Sequence, residues 1–536
     1  MIHSALFTVM FLSLFLISCE KADQKLSDKI TTTRNTASLD LYKITGELLS
    51  QLNDSEVFNL GTCPAFLQNI YVSGLELDPR TLNLEKTKED WSKTYENLWL
   101  IRLKLKDKLN EFIEVSKKSV NDPAVKACAS SIRNSLRLSR YVEDYLAEYY
   151  GGEKQDADQN SDFKPVLPVP FDSPAPWTLR NPDSQSITLK SGDLIISRGN
   201  AYTSAAISRI VEVDSQFSHM AMIYIPGGPT KEYTLAEAMK RTDILVLEAH
   251  IEVGSTIRTF NEYASDGNAR NVLFRYKKGG AVPHRAAKSA YDFLEKSRDQ
   301  ARSKTPVGFR RERSDVNYAV PYDFKMDLRD TKEVFCTEVG YIGYKNEGVL
   351  IPTFMSDINP KLDLVQRLGI KGNQIFAPGD MELEPQFEII AEFRNLRKLK
   401  GVRMKDMTLS SFLKWMDEGY KIHPKATASA EALSAWLLRQ LDINVKNVRK
   451  RLPKNMNVKA LNTVLVLDSV NSYLESHLVK SEIEFKEKNR GLLITYPYGI
   501  ELLNDLRVQD KKAYVEGQKA PLHREFRPRQ LAVPGI

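Results

Sequence analysis

The sequence predicts an α+β fold in which a central region of mixed strands and helices lies between two mainly helical regions. Three observations predict it. From about residue 180 to 398, short β-rich runs alternate with helical stretches. On either side, residues 37–150 and 399–536 repeat their apolar positions at helical spacing. Residues 151–179 interrupt the pattern with Gly-Gly, acidic residues and a run of prolines.

Residues 1–18 read as a signal peptide. Ala5–Ile17 is one apolar run broken only by Thr8 and Ser13. It falls short of the roughly 20 residues a membrane span needs and fits a signal h-region. Its end, Leu16-Ile17-Ser18-Cys19, resembles a bacterial lipobox. That resemblance implies cleavage before Cys19, acylation of its sulfur and new amine, and a mature chain held by lipid to a membrane of the bacterial cell envelope. The outer membrane, facing the periplasm, is the expected site. Residues 19–36 are polar and read as a tether.

Residues 37–150 are expected to form a helical bundle. Tyr95, Leu98, Leu105, Leu109 and Phe112 fall near one stripe, as do Leu138, Tyr141, Val142 and Tyr145. Asp122-Pro123 starts the helix that carries Cys128. With Cys19 given to lipid, three of the four cysteines remain. Cys63 and Cys128 share one candidate domain and are expected to pair in an oxidising compartment, leaving Cys336 free. Such a bridge is worth about 3–4 kcal/mol in a chain-entropy account. In 151–179, Pro165, Pro168, Pro170, Pro174 and Pro176 make a semi-stiff linker.

In 180–398 the expected strands are Leu194–Ser197, Met220–Ile225, Ile244–Leu247, Thr256–Phe260, Val272–Tyr276 and Glu388–Phe393. The expected helices are Tyr202–Val211, Pro283–Lys296 and Cys336–Tyr344. Beyond, Leu409, Phe412, Leu413 and Met416 follow a capping Thr408 at helical spacing, and Ala430–Leu441, Val458–Leu478 and Ile500–Val508 continue the helical pattern. Arg449-Lys450-Arg451 reads as a solvated helix end. No internal repeat is found.

At 536 residues, two or three domains are expected. A chain that is 42% hydrophobic and 27% charged buries a core and stays soluble. The net charge of +7 is spread along the chain, without a basic tract interleaved with aromatics, which argues against a nucleic-acid partner.

Three residue types point to thiol chemistry. Cys336 follows Val334-Phe335 and opens a helix, whose N–H groups and dipole favour a thiolate. His219 begins the apolar run Met220-Ala221-Met222-Ile223, and Glu248 ends Ile244–Leu247. Each has a plainer reading on its own: a buried structural thiol, a satisfied core histidine, a solvated carboxylate. As a set they make a nucleophile, a base and a group that orients the base. His250 and Glu237 compete with Glu248 for the last role. Neither an HExxH nor a paired-cysteine spacing occurs, so no metal and no cofactor is expected.

The order of these motifs carries a resemblance. Gly192-Asp193-Leu194-Ile195, Ser218-His219-Met220, Leu247-Glu248-Ala249, Tyr322-Asp323 and Phe335-Cys336-Thr337-Glu338 resemble the permuted papain-like amidases, YiiX/YebB-type relatives of the NlpC-type cysteine hydrolases. In that family the histidine strand precedes the cysteine helix. The resemblance covers about residues 190 to 395 and implies a permuted papain-like hydrolase domain at 180–398. It implies Cys336 as nucleophile, His219 as general base and Glu248 as the orienting third residue. Tyr322 would line the pocket and aid an oxyanion, together with backbone N–H groups at the start of the Cys336 helix, including Thr337. Thr337 stands where a serine is usual, and Gly340 where bulkier residues are common. The expected activity is hydrolysis of an amide bond, such as one in a cell-wall peptide, through an acyl-enzyme. A lipid acyl hydrolase or acyltransferase on the same fold, and a non-enzymatic envelope scaffold, are the alternatives. The expected partners are a peptide, amide or acyl substrate and the membrane reached through the lipid.

Overall fold

The computed structural model describes residues 40–81, 88–151, 177–178, 187–251, 254–265, 267–303, 320–328, 331–358, 363–370, 372–423 and 458–531. The signal run with Cys19, the tether, most of the linker, Ala430–Leu441 and Arg449-Lys450-Arg451 lie outside the described residues. The chain forms two compact units: one takes residues up to Tyr150 with Asn489–Pro497, and the other takes the sheet and the remaining C-terminal helices. The C-terminal region, expected as a piece of its own, is thus largely one unit with the sheet.

The first unit is helical, with α1 (Leu41–Asn53), α2 (Cys63–Leu75), α3 (Lys88–Ser116) and α4 (Pro123–Gly151). Asp40 caps α1 by accepting from the Lys43 N–H. The Asp122 carboxylate accepts from Ala124 N at 2.9 Å, beside Pro123 at the start of α4. The Leu98, Leu105 and Leu109 stripe of α3 is buried. A disulfide joins Cys63 to Cys128 across 65 residues of sequence and ties α2 to α4.

The second unit is built on a seven-stranded sheet. Its early elements are β1 (Trp177–Thr178), β2 (Thr188–Lys190), β3 (Leu194–Gly199), α5 (Tyr202–Ile207), β4 (His219–Tyr224), β5 (Glu232–Thr234) and α6 (Leu235–Ala238). There follow β6 (Leu245–His250), β7 (Gly254–Thr259), α7 (Phe260–Ala264), β8 (Asn268–Tyr276), α8 (Val282–Ser303) and α9 (Cys336–Asn346). A small pair, β9 (Ser356–Asp357) and β10 (Gln374–Ile375), flanks α10 (Asp363–Leu368). The chain continues through β11 (Phe387–Arg394), α11 (Leu396–Asp417), β12 (Tyr420–Ile422), α12 (Val458–Lys488) and α13 (Tyr496–Val515). It closes with α14 (Pro521–Glu525) and β13 (Phe526–Pro528). The strand order is β1-β11-β8-β3-β4-β6-β7, and every pairing is antiparallel. The fold is α+β.

Burial follows position in this sheet. Leu194 to Arg198 of β3 are all buried, as befits a central strand covered on both faces. On one face Ile195, Ala221, Ile223, Val246 and Leu273 join Phe260 and Tyr263 of α7 in a single apolar cluster. On the other lie α8 and α9. Ala286, Ala290 and Leu294 of α8 are buried at helical spacing. A Cβ added to Gly343 of α9 would come within 2.6 Å of the Ala286 carbonyl oxygen, so a glycine lets these two helices approach closely.

The Gly192-Asp193 motif has a structural reason. Gly192 takes a φ of 93°, and a Cβ there would lie 2.4 Å from the Pro283 carbonyl oxygen. Asp193 accepts from Lys190 N at 2.8 Å and from Arg275 Nη2 at 2.7 Å, which ties the turn before β3 to β8. Several bounds differ from expectation: the helix expected at Tyr202–Val211 ends at Ile207, and those expected at Val458–Leu478 and Ile500–Val508 run over Val458–Lys488 and Tyr496–Val515. Thr408 does not cap a helix; it lies inside α11, which begins after Asn395 and runs unbroken to Asp417. The Thr408 hydroxyl donates instead to Lys405 O at 3.0 Å.

Candidate active site

The β4–β6–β7 end of the sheet collects the expected residues. Val246, Glu248 and His250 alternate onto one face of β6, and Arg258 of β7 sits opposite Val246. Glu248 lies opposite Thr256, which makes Arg258 its diagonal neighbour on the same face. From β4, His219 stacks on His250 with ring centroids 4.6 Å apart.

Glu248 is the centre of the cluster and is fully buried. Its Oε2 lies 2.7 Å from His219 Nε2 and 3.0 Å from His250 Nε2. Its Oε1 accepts from Arg258 Nε at 2.5 Å. Burial opposes the charge, yet His250 and His219 with their hydrogen bonds hold the carboxyl well below its ordinary range. A charged carboxylate only accepts, so His219 donates through Nε2–H and keeps Nδ1 unprotonated. Burial first, and then His250, lowers the His219 pKa; Glu248 pulls it up and Arg258 pushes it down again. His219 therefore rests as a neutral imidazole at neutral pH.

Glu237, the other candidate orienter, does different work. Its carboxylate accepts from Thr234 N at 2.8 Å, and its own N–H donates to Thr234 Oγ1 at 3.2 Å, closing a capping box on α6.

Cys336 opens α9 as the sequence predicts, with Phe335 as the extended residue before it. Glu338 reaches back to accept from Phe335 N at 2.9 Å and holds this helix start. The N–H groups of Met220, Thr337 and Cys336 itself and the Tyr322 hydroxyl point at the sulfur. The Met220 N–H is available because the β4–β6 ladder pairs only Met222, Ile223 and Tyr224 and opens before Met220. The sulfur thus lies against the peptide that joins His219 to Met220, while strand alternation sends the His219 ring to the α7 face with Ala221 and Ile223. Among the described residues no hydrogen bond joins the sulfur to the imidazole, whose Nε2 is held by Glu248. Cys336 is the free cysteine among the described residues and is only 4% exposed. Burial raises its thiol pKa to about 11, against the pull of the N–H donors and Tyr322. The resting group is a neutral thiol, not the thiolate that the helix start alone would favour.

Tyr322 is fixed by its neighbours. It bridges to Val334 beside Cys336, with Val334 N donating to Pro321 O at 2.9 Å. Upstream, Ser255 N donates to Val320 O at 2.8 Å, and Gly254 lets that segment lie close, since a Cβ there would meet Val320 O at 2.1 Å. Thr337 offers the sulfur its N–H only, because its hydroxyl donates to Phe376 O at 2.8 Å. Gly340 faces Met220, whose Cε would lie 2.8 Å from an added Cβ.

The geometry adds two residues. His250 joins Glu248 rather than replacing it, and Arg258 escaped the sequence reading altogether. The signal for Arg258 is hairpin register: with Glu248 opposite Thr256, an arginine two residues on falls diagonal to the carboxylate. His219, Glu248 and His250 also present three metal-type ligand atoms within 4.8 Å of one another. Arg258 Nη2 lies 3.4 Å from His250 Nε2, and a guanidinium beside that nitrogen opposes a second cation there. Compared with protein-family models, curated proteins and solved structures, the chain has no match.

Proposed function

We propose that this chain is a cysteine hydrolase of the permuted papain-like kind, cleaving an amide bond through an acyl-enzyme on Cys336. The observation that carries the reading is the Glu248–His219 hydrogen bond at 2.7 Å, on a strand whose next N–H, that of Met220, meets the sulfur of a helix-opening cysteine. It gives His219 a fixed tautomer with Nδ1 as the basic atom. The raised thiol pKa favours general-base attack over a standing ion pair. His219 Nδ1 takes the thiol proton as the sulfur attacks the carbonyl carbon. The N–H groups of the α9 start, with the Tyr322 hydroxyl, stabilise the oxyanion. The imidazolium then protonates the leaving amine, and water activated by the same nitrogen hydrolyses the thioester. The Leu16–Cys19 motif supports a lipid-anchored enzyme of the bacterial envelope, with peptide, amide or acyl substrates.

Cys336→Ala tests the reading. The parent should be labelled by a thiol-directed electrophile at Cys336 and release amine from a cell-wall-type peptide; the variant should do neither. Equal labelling of parent and variant, or equal amine release, overturns it. A second reading, a non-enzymatic envelope scaffold, is favoured by the burial of Cys336 and the lack of a sulfur–imidazole bond. It requires a folded parent whose thiol stays inert to small electrophiles.

A further inference from the structure

The cluster around Glu248 joins a carboxylate, a guanidinium and two imidazoles. Glu248 is an anion without solvent contact, and it needs one compensating cation. Two kinds of group are placed to supply it. An imidazole can take a proton, or Arg258, already within 2.5 Å of Oε1, can serve permanently. The choice matters, because a protonated His219 already carries the proton it would have to accept from a thiol.

We propose that Arg258 is a positioning residue: it is the standing counter-ion of Glu248, and its presence keeps His219 neutral and competent as a base. Three contacts support this. Arg258 takes Oε1, leaving Oε2 to both imidazoles, at 2.7 Å from His219 and 3.0 Å from His250. The His250–Glu248 contact is shorter than the 3.4 Å from Arg258 Nη2 to His250 Nε2, which assigns the Nε2 proton of His250 to the carboxylate. Both rings then turn Nε2–H to the same carboxylate oxygen and stack 4.6 Å apart, where a positive charge on one would repel a second on the other. Arg258 is itself seated over the Tyr263 ring, 5.8 Å from its centroid. Among the described residues, the titratable and charged groups around His219 are Glu248 and His250 of β6, Arg258 of β7, Tyr263 of α7, Cys336 of α9, and Tyr322. Arg258 offsets the Glu248 charge without a proton on His219.

The consequence for catalysis rests on the hydrolase reading; the protonation pattern does not. The test is therefore a histidine titration by long-range nitrogen–proton NMR on the full chain. In the parent, His219 should be a neutral Nε2–H tautomer at neutral pH. In Arg258→Met, one imidazole of the cluster should take over as cation, its midpoint rising by about one pH unit or more. Arg258→Lys, which keeps the charge, should restore the parent midpoints. Glu248→Gln with Arg258→Met removes both charges and should bring the midpoint back down; this neutral pair also decides the matter where the single variant does not fold. Parent-like midpoints in Arg258→Met, or a raised midpoint that persists in the double variant, overturn the role. A raised midpoint in a protein without amide hydrolysis keeps the role of Arg258 and removes the hydrolase reading.

Discussion

Among the buried charge clusters of the sheet unit, two are built differently. In the first, Asp406 of α11 bonds Arg198 of β3 at 2.6 Å and Arg209 at 3.0 Å, and Arg209 also bonds Asp214 at 2.7 Å. Two cations meet two anions, and all four side chains are at most 4% exposed. In the second, one carboxylate and one guanidinium share their pocket with two imidazoles, whose side chains are 15% and 25% exposed. The first is built from guanidinium and carboxylate groups alone. It keeps one charge state, and it links residues 208 apart in sequence. The second holds two groups able to change charge near neutrality, each reached by water. Burial of charge therefore fixes one charge state in one place and leaves room for a change of charge in the other. What separates them is the presence of imidazole and an edge open to solvent.

That contrast can be broken by experiment. The largest effect is expected for Asp406→Ala, which strands Arg198 and Arg209 in the interior and should cost about 3–5 kcal/mol of stability. Denaturant unfolding measures it; a loss below about 1 kcal/mol would mean the first cluster contributes little to the fold. Glu248→Gln should show the opposite balance. Its neighbours reach solvent, so stability should change less. Thiol alkylation and amide turnover should slow about ten-fold or more, since the base it orients contributes on the order of 10²–10⁴. Equal effects of the two variants on stability and rate would erase the distinction.

The smallest effect is in pH. The His219 pKa is lowered by folding, so the unfolded chain binds the proton more readily; stability is full above about pH 6.5 and falls as acid approaches the folded value. Asp406 is also lowered, chiefly through Arg209 and Arg198 once burial is overcome, but its loss begins only near the carboxylate range. Stability against pH should thus show a histidine shoulder, shared with His284, His423 and His477, that His219→Phe reduces and Asp406 variants keep. The thiol works at the other end. With a pKa raised from 9.0 to about 11, its contribution is present below 9.0 and lost as pH climbs toward 11.

Local pattern carried much of this into view. The six long strands, the Cys336 helix and the Cys63–Cys128 bridge each leave a short-range mark: alternation, an apolar lead-in, a shared helical domain. His219 and Glu248 were visible because polar side chains stand out in apolar strands. Arg258 was not, since its place depends on which residues oppose one another across the β6–β7 hairpin. The Arg198–Asp406 pair was invisible for a plainer reason: no periodicity links positions so far apart. The capping role read at Thr408 failed because a threonine hydroxyl can bond a carbonyl one turn back as readily as it caps a helix, and Asn395 had already begun this one.

The burial of Cys336 has one more consequence. A free thiol in the same chain as a disulfide is a hazard, because a thiolate attacks sulfur–sulfur bonds and scrambles them. With its pKa near 11, Cys336 is a thiolate in only about one molecule in ten thousand at neutral pH. The folded chain can therefore carry a free thiol and an intact cystine together without reshuffling the bond that staples its helices.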